Sequence, residues 1–387
     1  MPNPERRAGR SALSIIIWVL LVILVAMTFS FWPPSSVRSL MHDIVNGMNQ
    51  VLLPGGVGLA LFIPFIVVVT FLAVAIHECV HAVVGVLVGF HFNSLRIGPV
   101  LFDRPFRISI YHGRGTGAGG WTSLFPVKQD RLILRTIIML LAGPLSNLIS
   151  VALLHELPYS KGMFSAWFMY VSLLLGVMNL LPFRNRAVIS DGGRILMLLQ
   201  NRPRGERWLA MLKLLEEIRQ GVPQENLSSG FLAKAVAIQD NSPDTFTAHA
   251  IAYAAAFWQH KNNEAAQALE TCLRYSSVVS PTQRHAIMID AAVFQARRRK
   301  RVDLAEQWLA DVPQKTEYPW FRLRGEAAIL EAKGDISGAL TKLDEVIKLI
   351  QATPNQAMRE ISLRGVSRWK AELLPAITEA ASAKSLI

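Results

Sequence analysis

The chain has 387 residues, room for two or three domains, and combines 51% hydrophobic residues with a formal net charge of +12. Its mean hydropathy of +0.32 excludes an ordinary soluble protein of this size. The basic surplus lies in the apolar half, 16 Lys and Arg against 7 Asp and Glu over 1–202 but 24 against 21 over 203–387, which marks cytoplasmic loops and excludes nucleic-acid binding.

In chain order, Ala12–Trp32 is the first apolar run long enough to span a bilayer. It holds no charge and follows Arg6, Arg7 and Arg10, so it reads as a signal anchor with an internal amino terminus. Residues 1–58 are therefore an anchor helix followed by an external loop.

The second run, Leu59–Phe90, contains His77-Glu78-Cys79-Val80-His81 and no other formal charge. Two histidines four residues apart stand on one helix face, one turn apart, and reach one metal ion. Glu78 sits beside the first ligand, placed to take a proton from water at the metal. Ionisable groups are expensive in hydrocarbon, so this cluster points to function. Cys79 points off the histidine face and reads as a small apolar filler; the other cysteine, Cys272, lies in a different region, and the two form no framework.

The loop after this run carries Arg96, Arg104, Arg107, Arg114, Lys128 and Arg131, against Arg38 and Lys161 on the other side. Both termini and this loop are thus expected in the cytoplasm, in a multi-pass protein of the cell membrane. Within the loop, Leu95–Ile110 alternates in places and leads to the glycine-rich Gly113–Gly120 and then Trp121. Leu132–Leu154 and Phe164–Leu181 complete four spans. The third holds Gly143, Pro144 and Asn147, read as packing residues that let helices approach.

A catalytic zinc takes three protein ligands and leaves one position for water. His155 is expected at the opposite face, and His91 and His112 belong to the loop. Asp191 in Ser190-Asp191-Gly192-Gly193-Arg194 is the best third ligand. Taken alone it is a plain N-cap for a helix over Arg194–Gln200; beside the histidine motif the ligand reading is preferred. Upstream, Asn179-Leu180-Leu181-Pro182 ends a helix at proline.

With those residues in hand, the chain resembles the site-2 proteases, the intramembrane zinc metalloprotease family, over roughly residues 59–200. The matching elements are His77-Glu78-x-x-His81, then Ala142-Gly143-Pro144-Leu145-Ser146-Asn147, then Asn179…Pro182…Asp191-Gly192. The resemblance implies one zinc ion per chain held by His77, His81 and Asp191, with Glu78 as catalytic base and Asn179 helping to hold substrate. It also implies a small membrane-associated β element ending in a Gly-Gly-aromatic turn at Gly119-Gly120-Trp121, offering an edge to extended substrate. One departure is the stretch from Pro182 to Asp191, longer than the family's link and containing Arg184 and Arg186.

Beyond Arg202 the pattern is soluble and helical. A small residue recurs in second helices at Ala265, Ala305 and Ala339, spaced 40 and 34 residues apart. This loosely resembles tetratricopeptide repeats, whose stacked helix pairs bind peptides or protein partners. His249, His260 and His285 show no ligand spacing.

The expected fold is an all-α polytopic membrane protein with about four transmembrane helices and a small β element, joined to a soluble repeat-like domain. The expected domains are 1–58, the metalloprotease core 59–202, and the cytoplasmic helical domain 203–387. The expected function is zinc-dependent endoproteolysis in or near transmembrane segments of membrane-protein substrates, with the bilayer and a cytoplasmic protein as further partners. Two alternatives stand beside it. One is a catalytically silent anchor presenting the repeat domain. The other is a membrane zinc peptidase completed by a later glutamate, for which only Glu156 is available, at the far face.

Overall fold

The computed structural model describes residues 34–49, 56–103, 107–110, 119–127, 130–157, 162–184, 189–200, 203–316, 318–353 and 356–384. The first expected span, Ala12–Trp32, lies outside them. Most described residues are helical, with one small antiparallel sheet. Two compact units divide the chain: 1–101 with 118–206, and 102–117 with 207–387.

In the first unit, helix α1 covers Pro34–Asn49, α2 Gly56–Leu87, α3 Leu132–His155, α4 Met163–Leu180 and α5 Asp191–Leu199. Three helical stretches, Leu61–Leu87, Leu132–His155 and Met163–Leu180, are long and apolar enough to cross a membrane. Their apolar surface is only partly buried, and Leu61, Val67, Val83 and Leu153 are exposed. Exposed apolar surface of this kind is suited to contact with an apolar partner or a membrane.

Within the stretch after Trp32 expected as an external loop, Pro34–Asn49 forms the helix α1. Its apolar residues fall at helical spacing, and Leu40 and Ile44 are buried against Val151 of α3 and Met169 of α4. Four strands follow α2, with β1 at Phe90–Ile97, β2 at Val100–Asp103, β3 at Arg107–Ile110 and β4 at Gly120–Pro126. Their order is β3-β2-β1-β4, so β4 forms an edge. β1 and β4 run antiparallel, pairing Phe90 with Pro126 and Ile97 with Gly120 across a bulge between Phe92 and Ser94. Gly119 and Gly120 accordingly lead into β4, where a closing turn of the strand element was expected.

The face of β4 carrying Gly120, Thr122 and Leu124 lies along α2. A methyl on Gly85 of α2 would come within 2.4 Å of Leu124 Cδ1. One on Gly120 would come within 2.7 Å of Glu78 Cγ and 2.8 Å of Val74 Cγ1. Small residues on both elements bring strand and helix into direct contact beside the histidines.

In the second unit, helices α6 (Pro203–Arg219) and α7 (Ser229–Val236) precede three helix pairs and a long last helix. The pairs are α8 (Pro243–Trp258) with α9 (Asn262–Arg274), α10 (Pro281–Arg297) with α11 (Val302–Ala310), and α12 (Pro319–Ala332) with α13 (Ile336–Gln351). The last helix, α14, covers Gln356–Lys384. Ala265, Ala305 and Ala339 each occupy the fourth position of the second helix in their pair and are fully buried. Each pair turns through a left-handed residue five positions earlier, at His260, Lys300 and Gly334. The first helices open on Pro243, Pro281 and Pro319, 38 residues apart both times. Proline suits that position because its missing N–H would have no helical partner there. The array is thus a repeat in backbone conformation as well as in residue type.

Candidate metal centre

The site forms where α2, α3 and α5 meet. His77 and His81 are both 6% exposed, with ring centroids 4.7 Å apart. Their Nε2 atoms approach to 3.1 Å. Asp191 Oδ2 lies 3.3 Å from the Nε2 of His77 and 3.4 Å from that of His81. One donor atom from each of the three residues converges within 4.8 Å.

Two observations bear on whether a metal fits. His81 Nδ1 donates to the Met139 carbonyl at 2.7 Å, which fixes the ring proton there and leaves the Nε2 lone pair facing the cluster. An Nε2 pair at 3.1 Å beside a carboxylate oxygen is a convergence of lone pairs that a cation relieves. A tetrahedral ion with bonds of about 2.0–2.1 Å sets its ligands about 3.3 Å apart, the spacing seen in this trio. The donor set therefore fits a divalent ion of zinc's size.

Each ligand is positioned by an identifiable local feature. Gly143 of α3 cradles His81, since a methyl there would lie 2.2 Å from Nε2. Asn147, one turn further along α3 and fully buried, donates to the Ala73 carbonyl at 3.4 Å, one turn before His77. This contact ties α3 to the metal-site helix, as the packing reading of Asn147 expects.

Asp191 reaches the histidines through a closed loop. The described ends of the link meet in an antiparallel bridge between Arg184 and Ile189. Ser190 pins its base: the hydroxyl donates to the Leu181 carbonyl at 2.7 Å and accepts from Phe183 N at 3.1 Å and Gly193 N at 3.0 Å. Ser190 is thus the N-cap of α5, which begins at Asp191, three residues before the helix start expected from the sequence. Relieved of capping, the Asp191 carboxylate faces the histidines. Gly192 makes this possible, because a methyl there would sit 1.8 Å from the Leu180 carbonyl oxygen. The first turn of α5 lies directly on the end of α4, and the extra loop residues do not alter its seat.

Glu78 is 9% exposed and outside the ligand trio. Its Oε2 accepts from Thr122 Oγ1 of β4 at 2.7 Å. The same hydroxyl lies 3.0 Å from the Glu78 carbonyl, so β4 fixes both ends of this residue. Thr122 was not singled out in the sequence. The period-2 parity of Gly120, Thr122 and Leu124 is the signal that could have found it.

The other expected site residues lie differently. The Asn179 side chain donates to the Leu175 carbonyl of its own helix at 3.0 Å, which directs its amide along α4. Gly120 packs on Glu78, and the Gly119 carbonyl accepts from Gly98 N at 2.7 Å, closing the β1–β4 end. His155 faces Asp43 of α1 at 3.7 Å, away from the trio. Comparison with family models, with curated proteins and with solved structures finds no match to this chain.

Proposed function

We propose that the chain is a zinc-dependent intramembrane endopeptidase of the site-2 protease type, acting on transmembrane segments of other membrane proteins. The observation that carries this reading is the convergence of His77 Nε2, His81 Nε2 and Asp191 Oδ2 at 3.1–3.4 Å, with the Glu78 carboxylate held beside them. The protein crosses the bilayer four times, Ala12–Trp32 being the first span, and both termini are cytoplasmic.

His77, His81 and Asp191 would hold the ion. When bound, zinc supplies a Lewis acid for the scissile carbonyl and a water of lowered pKa. Thr122 occupies Oε2 of Glu78 and leaves Oε1 to take a proton from the attacking water and return it to the leaving amine. The edge strand β4 begins beside Glu78 and accepts an unwound substrate segment by main-chain pairing, which exposes a carbonyl that a helix would hide. The helical domain beyond 203 recruits cytoplasmic partners or substrate tails.

Purified protein is expected to carry one zinc per chain, and Asp191→Ala to lose most of it. Glu78→Gln keeps the shape of the side chain without its basicity, so it should retain zinc and lose cleavage by orders of magnitude. Cleavage of a membrane substrate by Glu78→Gln at the wild-type rate overturns the mechanism. Absence of metal from wild type leaves the silent-anchor alternative.

A further inference from the structure

The face built by the first helices of the three pairs, where a repeat array would receive a peptide, is covered by the chain's own last helix. α14 packs along α13 and reaches α8, α10 and α12 through its side chains, burying Val366, Trp369 and Leu373, with Met358 and Leu363 partly buried on the same core. It also makes polar attachments. Arg364 donates to the Ile218 carbonyl of α6 at 2.8 Å, and Arg368 pairs with Glu225 while lying 4.4 Å over the Trp258 ring. Lys370 Nζ meets Asp344 at 2.5 Å, and Trp369 Nε1 donates to Glu331 at 2.7 Å. Arg297 stacks 4.4 Å over Trp369 and bonds Glu372 at 2.8 Å. The surroundings of α14 thus offer its cations the acceptors Glu225, Glu331, Asp344 and a helix-end carbonyl, with Arg297 as the counterpart of its Glu372.

The seat is incompletely filled. A cavity of about 170 Å³ lies between α14 and the array, beneath Ser362 and Gly365 and against Tyr253, Trp258, Asp290 and Arg324. The cavity is partly open to solvent and lined by both polar and apolar groups, and the small side chains of Ser362 and Gly365 leave space there that a larger one would occupy. A methyl on Gly365 would have its nearest neighbour, Trp258 Cζ2, at 3.9 Å, so the helix is not held off by crowding. The ion pairs that tie α14 down are partly exposed, which makes that part of the fastening salt-sensitive. The short link from Thr353 to Gln356 compensates by keeping α14 at high effective concentration.

We propose that this groove is a helix-receiving site, that α14 is its built-in occupant, and that its external partner is a basic amphipathic helix. The partner carries one tryptophan anchor, as α14 does, and a large side chain where α14 has Ser362. Filling the cavity gives the partner the added affinity needed to displace a tethered competitor. The inference is independent of the metal centre.

The test uses the full-length protein in detergent with a protease site inserted between Thr353 and Gln356. After cleavage, labelled peptides covering 356–375 compete for the groove, read by fluorescence anisotropy. The native peptide should exchange in, Ser362→Met should bind about tenfold tighter or better, and Trp369→Ala should bind at least about tenfold weaker. Raising ionic strength from about 0.05 to about 0.5 M should weaken the native peptide severalfold. Uncut protein should need much more peptide than cut protein. If Ser362→Met binds no tighter than native, or nothing exchanges while helix content is unchanged, the proposal falls. If cutting unfolds the domain, the uncut Ser362→Met chain decides: a raised Tm supports the proposal, and an unchanged or lowered one overturns it.

Discussion

Gly143→Ala tests the metal centre without touching a ligand. The added methyl would start 2.2 Å from His81 Nε2, 2.6 Å from Cδ2 and 2.7 Å from Cε1. Non-bonded atoms settle near 3.5 Å, so ring and methyl must separate by roughly 1 Å. The ring cannot simply swing away, because its Nδ1 is tied to the Met139 carbonyl at 2.7 Å, on the same helix as Gly143. Metal–ligand bonds tolerate errors of only about 0.2 Å, several times less than this shift. Loss of an orienting contact alone lowers affinity about 10–100-fold, and displacing the ligand itself should reach or exceed the upper figure, about 2.7 kcal/mol. The assay is zinc competition against a chelator of known affinity, with helix content monitored to show that α3 still packs. Wild-type zinc affinity in a folded Gly143→Ala protein would refute the placement of α3 against His81, and with it the site geometry.

Three further outcomes are expected. Thr122→Val removes the hydroxyl on Glu78 Oε2 and should leave zinc bound while slowing cleavage about 10–100-fold, the worth of a hydrogen bond to a charged group; an unchanged rate would dismiss Thr122 as a positioning residue. In the C-terminal unit, burial opposes ionisation of Asp240, but hydrogen bonds from Ser242, Arg207 and Thr245 outweigh it and hold the carboxyl far below its usual range. A depressed folded value stabilises above the unfolded pKa of about 3.9, so denaturant stability should fall as pH drops below about 4. Arg207→Met, which strips a fully buried guanidinium from that network, should cost about 3–5 kcal/mol at neutral pH and flatten the acid dependence; equal acid slopes would assign the dependence elsewhere. Finally, a cysteine at Asn46 of α1 should react with an impermeant reagent in intact cells and one at Ser123 of β4 should not, and the reverse pattern would invert the topology.

How much of the site was legible follows from how local each part is. His77, Glu78 and His81 are set by helical period alone, so five consecutive residues carried the reading. Asp191 depends on a backbone detour and was visible only as a candidate. Its alternative role as a cap failed because Ser190, one residue earlier, has the shorter side chain and makes that bond. The length of the Pro182–Asp191 link looked like an obstacle, since length suggests reach. The bridge between Arg184 and Ile189 brings the two described ends of the link together, and Ser190 is seated on Leu181 and Phe183. At Asn179 the structure adds a bond from the side-chain amide to its own i−4 carbonyl, a contact that helical period supplies.

The repeat array shows why a motif can be obscured while the fold stays regular. The small residue of each second helix recurs at intervals of 40 and 34 residues, which absorb differences in loop and helix length. The first helices keep a constant step of 38, punctuated by proline. The turn within each pair requires a positive φ, which glycine adopts freely and other residues adopt at a cost. Gly334 announces its turn, whereas His260 and Lys300 hold the same conformation with side chains that give no such signal. Arg298 shows one source of compensation at these tips, reaching His260 at 2.9 Å and the Phe257 carbonyl at 3.0 Å. A charged run at 297–301 that composition alone would assign to an anionic partner thus has internal work in its first two residues: Arg297 binds Glu331 and Glu372, and Arg298 closes the α8–α9 turn. Charge in this half of the chain holds helices together, which is why its net balance stays near neutral while the apolar half carries the surplus.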